Sequence, residues 1–133
     1  MSRRDSHSFT DLDQGRVTRM IIALDVDFAT RRITGSASYE LAAAAGGPLD
    51  LDTRDIEVQG VTDAAGRELA FDTDHGDPIL GTRLRIQLPA GATSFRVAFV
   101  TSPAASALQW LEPAQTDGGA HPYLFSQCQA IHA

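Results

Sequence analysis

The segment Met-Ile-Ile-Ala-Leu-Asp-Val-Asp-Phe, residues 20–28, sets the fold class of this chain. Its even positions are all apolar, whereas its odd positions include Asp25 and Asp27. Because successive side chains of a β-strand point to opposite faces, this alternation predicts a strand with one solvated face. After a short connection the alternation resumes at odd positions, from Ile33 to Leu41. The two segments together predict a long antiparallel hairpin.

Downstream, the alternation is interrupted by turn-forming residues. Residues 42–48 contain an alanine run followed by Gly-Gly-Pro, and we interpret them as a strand end and a loop. A third strand region is predicted over residues 49–61, with a bend near Arg54. A turn at residues 63–66, a short strand at Leu69 and Phe71, and a loop over residues 72–81 are expected to follow.

The clearest alternation is in residues 84–88 and 95–99, with Pro-Ala-Gly-Ala between them at 89–92. This arrangement predicts a second hairpin. From residue 101 the periodicity is lost, and Pro and Gly keep the segment from forming one long element. The sequence therefore predicts one all-β domain over residues 1–133, a curved antiparallel sheet or sandwich with an irregular C-terminal segment. The polar residues 1–14 are expected to be its loosest part.

The charge balance excludes several classes of partner. The chain has 133 residues, a formal net charge of -6 and 43% apolar residues, which fits one globular domain with a real core. Nucleic-acid binding and attachment to an anionic membrane need clustered cations, so neither is expected. A single Cys, Cys128, precludes an internal disulfide, and no apolar run is long enough for a signal peptide or a membrane span. A reducing cytoplasm is the predicted location.

A search for catalytic and metal-binding patterns gives mainly negative results. None of the four Glu follows a His, so the His-Glu-x-x-His zinc motif is absent from the sequence. Asp72, Asp74 and Asp77 do not have the spacing of a calcium loop, and we interpret them as turn residues. Two carboxylate pairs, Asp25 with Asp27 and Asp50 with Asp52, each share a strand face, and we expect both faces to be solvated.

Two further groups of polar residues lie near the C-terminus. Cys128 and His132 could form a nucleophile and base only on a helix, and no orienting carboxylate is nearby, so a buried structural Cys is preferred. Gln127 and Gln129 flank that Cys and project on the same face of an extended chain. Carboxamides both donate and accept hydrogen bonds, which suits recognition of a peptide backbone. Composition alone favours ordinary strand-face polar residues at these two positions.

The last third of the chain resembles leukotriene hydrolase and aminopeptidase B, and shorter upstream segments match in the same order. The resemblance is carried by Ser102-Pro-Ala-Ala-Ser-Ala-Leu-Gln-Trp-Leu111, Pro113-Ala-Gln-Thr116 and His121-Pro-Tyr-Leu-Phe-Ser-Gln-Cys-Gln-Ala-Ile-His132. Upstream it includes Asp5-Ser-His-Ser8, Leu24-Asp-Val-Asp-Phe28, Leu51-Asp-Thr-Arg-Asp55 and Asp77-Pro-Ile-Leu-Gly81. The resemblance therefore covers nearly the whole chain.

The resemblance implies a specific domain and role. In that family the matching region is a saddle-shaped N-terminal β domain that precedes a thermolysin-like zinc domain. It implies that Gln127 and Gln129 reach into the active-site cleft and contact the peptide substrate near its N-terminal residue. The zinc ligands and catalytic groups belong to the family's next domain, so this chain is expected to bind no metal and to have no catalytic residue of its own.

The family's sequence continues past His132, so we expect this chain to be part of a longer protein. The surface around Trp110 and residues 123–131 is then expected to be exposed, and to pair with a second copy or be partly disordered. Two alternatives stay open at this point. One is a free-standing β-sandwich binding module with a preformed aromatic pocket, and the other is a Cys–His hydrolase that uses Cys128.

Overall fold

A computed structural model describes residues 5–74 and 76–127 of the chain. Nearly all regular structure in this part is β-strand, with two single-turn 3-10 helices at Pro113–Gln115 and Asp117–Gly119. The strands are β1 (Val17–Asp27), β2 (Arg32–Thr53), β3 (Ile56–Asp63), β4 (Phe71–Thr73), β5 (Thr82–Thr101), β6 (Leu108–Leu111) and β7 (Tyr123–Ser126). The predicted all-β class is confirmed.

The main sheet is antiparallel and has the strand order β1-β2-β5-β3, with β4 paired to β5. The predicted first hairpin is confirmed, since Asp27 pairs with Arg32 and Val17 with Leu41. Strands β6 and β7 form a separate two-stranded sheet within the segment predicted to be irregular.

The predicted second hairpin is wrong. Residues 84–88 and 95–99 do not pair with each other, because both belong to the continuous strand β5 and both pair with β2. Gly91 adopts a φ of 81°, and the inward-facing positions change from even at Leu84 to odd at Phe95. Pro89 to Ala92 therefore forms an irregularity within a strand, for which glycine and proline are as suitable as they are for a turn.

The predicted loop at residues 42–48 is also wrong, because β2 runs through it without interruption. The register between β2 and β5 shifts on both sides of Ala45, and Gly47 has a φ of 87°. A Cβ at Gly46 would lie 3.0 Å from the Cα of Ala90, so the two strands approach closely here. The irregular part of β2 therefore lies opposite the irregular part of β5, and both strands bend at the same place.

The pairing register shows how strongly β5 is curved. Thr53 at the end of β2 pairs with Thr82, and Ile56 at the start of β3 pairs with Thr101. The link from Thr53 to Ile56 spans about 11 Å at most, whereas a straight strand of the length of β5 would measure about 65 Å. The two ends of β5 therefore approach each other, which confirms the predicted curved antiparallel sheet. The predicted single strand region over residues 49–61 is wrong, because residues 49–53 end β2 and residues 56–61 belong to β3. The predicted bend near Arg54 is the tight link between these two strands.

The hydrophobic core lies inside the curve of the sheet. Phe95 is 2% exposed and stacks on Tyr39 with a centroid distance of 4.8 Å, while Ile86 from the other half of β5 is fully buried. One cluster joins both halves, formed by Leu41, Leu49, Val61, Leu84, Ile86, Leu88, Phe95 and Val97. Since burying a large aliphatic or aromatic side chain contributes about 1.5–3 kcal/mol, this cluster stabilises the bend.

One of the two carboxylate pairs is not solvated as predicted. Asp50 is 2% exposed, because Arg85 and the N-terminal segment cover it. Gln14 donates to its carboxylate over 2.9 Å and accepts from its backbone N–H over 2.8 Å. Asp52 accepts from the backbone N–H of Phe9 over 2.7 Å. Two acidic side chains on β2 thus attach the N-terminal segment to the sheet, whereas Asp25 on β1 is exposed as predicted.

Candidate functional site

The small β6–β7 sheet adjoins the sequence-predicted site region, because β7 ends at Ser126, directly before Gln127. Leu111 pairs with Tyr123 and Gln109 with Phe125, and the backbone N–H of Gln127 donates to the carbonyl of Ala107 over 3.1 Å. Directly paired residues lie on the same face of a sheet. One face therefore carries these paired residues, and the other carries Trp110 and Leu124.

The two faces of the small sheet differ in exposure. Tyr123 is 56% exposed and Phe125 is 47% exposed, with the exposed side chains of Gln109 and Gln127 beside them. We call this surface, formed by Gln109, Leu111, Tyr123, Phe125 and Gln127, the aromatic face. It carries no formal charge and includes Gln127, one of the two predicted substrate-binding residues.

The opposite face attaches the small sheet to the main sheet. Trp110, expected to be exposed, is half-buried and meets Phe28 edge-to-face, with ring centroids 5.6 Å apart. Arg31, in the β1–β2 connection, forms an ion pair with Glu112. The buried Nε1 of Trp110 has no hydrogen-bond partner within the described residues. The tip of the first hairpin therefore positions the aromatic face.

The connection between β6 and β7 is held by local hydrogen bonds. Gln115 accepts from the backbone N–H of Glu112 over 2.9 Å and so closes the first 3-10 turn. The Thr116 hydroxyl lies 2.8 Å from the carbonyl oxygen of Pro113 and 2.7 Å from that of His121. These contacts hold the segment before Tyr123 in place, although it contains no long element of regular structure.

The structure describes only one of the two predicted substrate-binding residues. Gln127 is exposed, follows β7 directly and is held by its backbone hydrogen bond to the chain just before β6. Gln129 lies outside the described residues, as do Cys128 and His132 of the hydrolase alternative. The shared orientation of the two glutamines therefore stays a prediction.

Two of the three aspartates of residues 72–77 form contacts within the fold. Asp77 accepts hydrogen bonds from the backbone N–H groups of Ile79 and Leu80 over 2.7 and 2.8 Å, and these bonds lower the pKa of its carboxyl. Asp74 forms an ion pair with Arg83. Across residues 5–74 and 76–127 there is no group of three or more His, Cys, Asp or Glu able to hold a metal ion. No helix in this same part of the chain is long and apolar enough to cross a membrane.

A second exposed apolar surface lies on β1, and sequence reasoning missed it. The strand was expected to bury its even-numbered side chains, yet all eleven of its residues are exposed. The large apolar side chains are between 37% and 55% exposed, namely Val17, Met20, Ile21, Ile22, Leu24 and Val26. The inward curve of the sheet buries the β2 and β5 positions beside them but leaves the edge strand uncovered. The signal was present in Ile21 and Ala23, which make the other face of β1 apolar as well.

Comparison with known proteins shows similarity along almost the whole chain. It is 38% identical over 135 residues to leukotriene A-4 hydrolase of Xenopus laevis, covering 96% of this chain and 22% of that protein. It is 35% identical over 134 residues to leucine aminopeptidase 2 of Yarrowia lipolytica, covering 98% of this chain and 21% of that protein. No protein-family model matches the chain.

The same similarity is found in three dimensions. The structure of yeast LTA4 hydrolase in complex with bestatin superposes with a TM-score of 0.87 at 31% identity. That match covers 98% of this chain and 21% of the yeast protein. The chain thus spans about a fifth of the length of the relatives it matches. The chain is therefore similar to an N-terminal β domain of leukotriene A-4 hydrolase and leucine aminopeptidase 2.

Proposed function

We propose that this chain is the accessory domain of a cytoplasmic zinc aminopeptidase, packing on a catalytic domain and supplying one wall of its peptide-binding cleft. The observation that carries the proposal is the chain-long match to relatives named as aminopeptidases and hydrolases, one of them in complex with bestatin. Because this chain spans only about a fifth of those relatives, the activity of the longer protein is part of the proposal.

The aromatic face supports a docking role. Its exposed Tyr123 and Phe125 are of the residue types enriched in protein–protein interfaces, and it carries no charge that would have to be desolvated. The Trp110–Phe28 contact and the Arg31–Glu112 ion pair attach its reverse side to the main sheet. A face held in this way is suited to packing against a folded domain.

Two features of Gln127 support its proposed contact with a peptide substrate at the border of such an interface. Its backbone is fixed by the hydrogen bond to Ala107, while its carboxamide is exposed. A carboxamide pairs equally well with the N–H and the C=O of a peptide, which fits binding without dependence on side-chain identity. The proposal extends this role to Gln129, two residues further along an extended chain.

The described residues do not fit a zinc site, because no cluster of metal-binding side chains is present among them. We therefore assign the zinc and the catalytic groups to the catalytic domain of the longer protein. The part played by this chain is substrate positioning, and no chemical step is assigned to its residues.

The glutamine role is tested in the longer protein with Gln127→Ala and Gln129→Ala. Each is expected to lower kcat/KM for an aminoacyl chromogenic substrate about tenfold, the equivalent of one hydrogen bond of about 1.4 kcal/mol. Gln59→Ala is the matched control, since that glutamine is exposed on β3 of the main sheet and is not part of the small sheet. Unchanged kinetics in both cleft variants would remove the two glutamines from the site.

The accessory role is tested with the 133-residue chain itself. We expect no turnover of the same substrate, with or without added zinc. Metal-dependent cleavage by the pure chain would overturn the assignment of the chemistry to another domain. Cleavage that is independent of metal and lost in Cys128→Ser would favour the Cys–His hydrolase instead.

A further inference from the structure

Strand β1 is an open edge of the main sheet. It pairs with β2 on one side, and no strand of the described residues pairs with its other side. Its eleven residues are exposed and carry large apolar side chains on both faces, with Ile21 on one and Met20, Ile22 and Leu24 on the other. A long apolar edge with available backbone hydrogen-bonding groups is a template for adding another strand.

The charges of β1 are placed so that the strand complements itself. Its charged residues are Arg19, Asp25 and Asp27, and Ile22 is the central residue. When two copies of β1 pair antiparallel over their full length, Ile22 lies opposite Ile22 of the second copy. Arg19 then lies opposite Asp25 of the second copy, and the two-fold axis generates the same pair again.

Neighbouring registers match less well. A shift by one residue places the even-numbered face of one copy beside the odd-numbered face of the other. A shift by two residues in one direction leaves Arg19 opposite Ala23. The same shift in the other direction places Asp25 opposite Ile21 and pairs Arg19 with Asp27, whose carboxylate already accepts hydrogen bonds from the backbone N–H groups of residues 29 and 30.

The full-length register also keeps the large apolar side chains of the even-numbered face together. It sets Met20 against Leu24 of the second copy, so the apolar row of the even-numbered face continues across the two-fold axis. It pairs all eleven residues of the strand, whereas a shift by two residues leaves two of them in each copy without a partner. Charge and length therefore favour the full-length register, which also retains apolar contact across the two-fold axis.

We propose that β1 is a homodimerisation edge, at which two copies of this chain join their sheets antiparallel about a two-fold axis at Ile22. The two Arg19–Asp25 pairs select the register, and the exposed apolar side chains of both faces supply the buried surface. This interface is separate from the aromatic face and does not depend on the proposed peptidase role.

Charge-reversal variants test the proposal through sedimentation velocity over a range of chain concentrations. The wild-type chain is expected to form a concentration-dependent dimer. Arg19→Asp alone and Asp25→Arg alone each place like charges opposite one another twice, and each is expected to raise the dimer dissociation constant at least about tenfold. The Arg19–Glu40 contact within one chain, 3.4 Å long, is exposed, so its loss has little effect on folding.

Combining the two substitutions gives the decisive results. A chain carrying both Arg19→Asp and Asp25→Arg is expected to dimerise again, since the exchanged charges at positions 19 and 25 are once more opposite in sign. An equimolar mixture of the two single variants is expected to form a heterodimer in which all four opposing residues are complementary. Glu57→Arg, on the edge strand β3 at the other side of the sheet, makes the same charge change as Asp25→Arg and is expected to leave the dimer unchanged.

Ile22→Lys provides a second test that does not involve the salt bridges. It places two ammonium groups at the two-fold axis and is expected to abolish the dimer, while Ile22 is exposed enough in one copy for folding to continue. A wild-type chain that stays monomeric throughout would overturn the proposal. A dimer that persists in both single variants would also overturn it and would point to another surface, such as the aromatic face.

Discussion

Asp50 and Arg85 lie directly opposite each other in the β2–β5 register and join through two parallel hydrogen bonds. The Nε of Arg85 donates to Oδ1 of Asp50 over 2.7 Å, and Nη2 donates to Oδ2 over 2.8 Å. Gln14 adds a third donor to the same carboxylate. This pair lies on the outer side of the curved sheet, where it connects the two longest strands to the N-terminal segment.

Asp50→Asn is expected to lower the free energy of unfolding by about 1.5–3 kcal/mol, the range for losing hydrogen bonds to a charged group in a largely buried setting. The amide cannot accept both Arg85 donors and the Gln14 donor at once. Urea denaturation at neutral pH measures the difference. Glu57→Gln, an exposed change on β3, is the control and is expected to stay within about 0.5 kcal/mol of the wild type.

The same pair predicts the sign of a pH dependence. The hydrogen bond from Arg85 holds the pKa of Asp50 below its usual value, outweighing the opposing effect of burial. A lowered pKa in the folded state contributes stability that is complete above the unfolded-state pKa of about 4, and is lost as the pH falls through the folded-state pKa. The stability gap between wild type and Asp50→Asn is therefore expected to shrink between pH 7 and pH 3. A gap that widens on acidification would contradict this account.

Gly81→Ala and Gly66→Ala form a matched pair. Both glycines have a positive φ, 83° and 78°, where a side chain costs about 1–2 kcal/mol. At Gly81 the new Cβ would also lie 2.3 Å from the carbonyl oxygen of Thr53, whereas at Gly66 it would meet nothing within 4 Å. Thermal unfolding is expected to show a clearly larger loss of stability for Gly81→Ala. Equal losses would mean that the loop shifts away from Thr53 at no cost.

Phe28→Ala tests how the small sheet is attached. Trp110 is the single tryptophan of the chain and packs edge-to-face on Phe28, so its fluorescence reports this contact directly. Removing the ring is expected to expose the indole and move its emission to longer wavelength, with the far-ultraviolet circular dichroism unchanged. Phe71→Ala, which alters a half-exposed phenylalanine on β4, is expected to leave the emission in place. An unchanged spectrum for Phe28→Ala would show that the Arg31–Glu112 ion pair is sufficient for attachment.

Much of the local structure was predictable because it depends on neighbouring residues. The alternation of residues 20–28 and 33–41 predicts two strands, and the short connection between them leaves a hairpin as the simplest arrangement. By contrast, the strand that precedes Gln127 lies in the segment predicted to be irregular, because residues 123–125 are all apolar and show no alternation. The role given to the glutamines came from resemblance, since a carboxamide on a strand has no distinctive pattern of its own.

Other features depend on which strands become neighbours, and local pattern does not contain that information. Pro89 and Gly91 are equally compatible with a turn and with an irregular strand, and the pairing of both flanking segments with β2 distinguishes the two. Whether Asp50 is solvated depends on Gln14 and Arg85, which come from distant parts of the chain. The same holds for Met20, whose exposure follows from the edge position of β1.

Residue pattern alone is enough to establish that this protein is an all-β domain, because side-chain alternation with a period of two is a local property of each strand. It is also enough for the turn at residues 63–66 and for the absence of a His-Glu-x-x-His motif. Three other features became known only from the folded chain: two long strands bend together at Ala45 and Gly91, Asp50 is buried, and β1 is left open. These outcomes result from pairing and packing between residues far apart in the chain, where the curvature of the sheet settles which apolar face becomes core and which stays exposed.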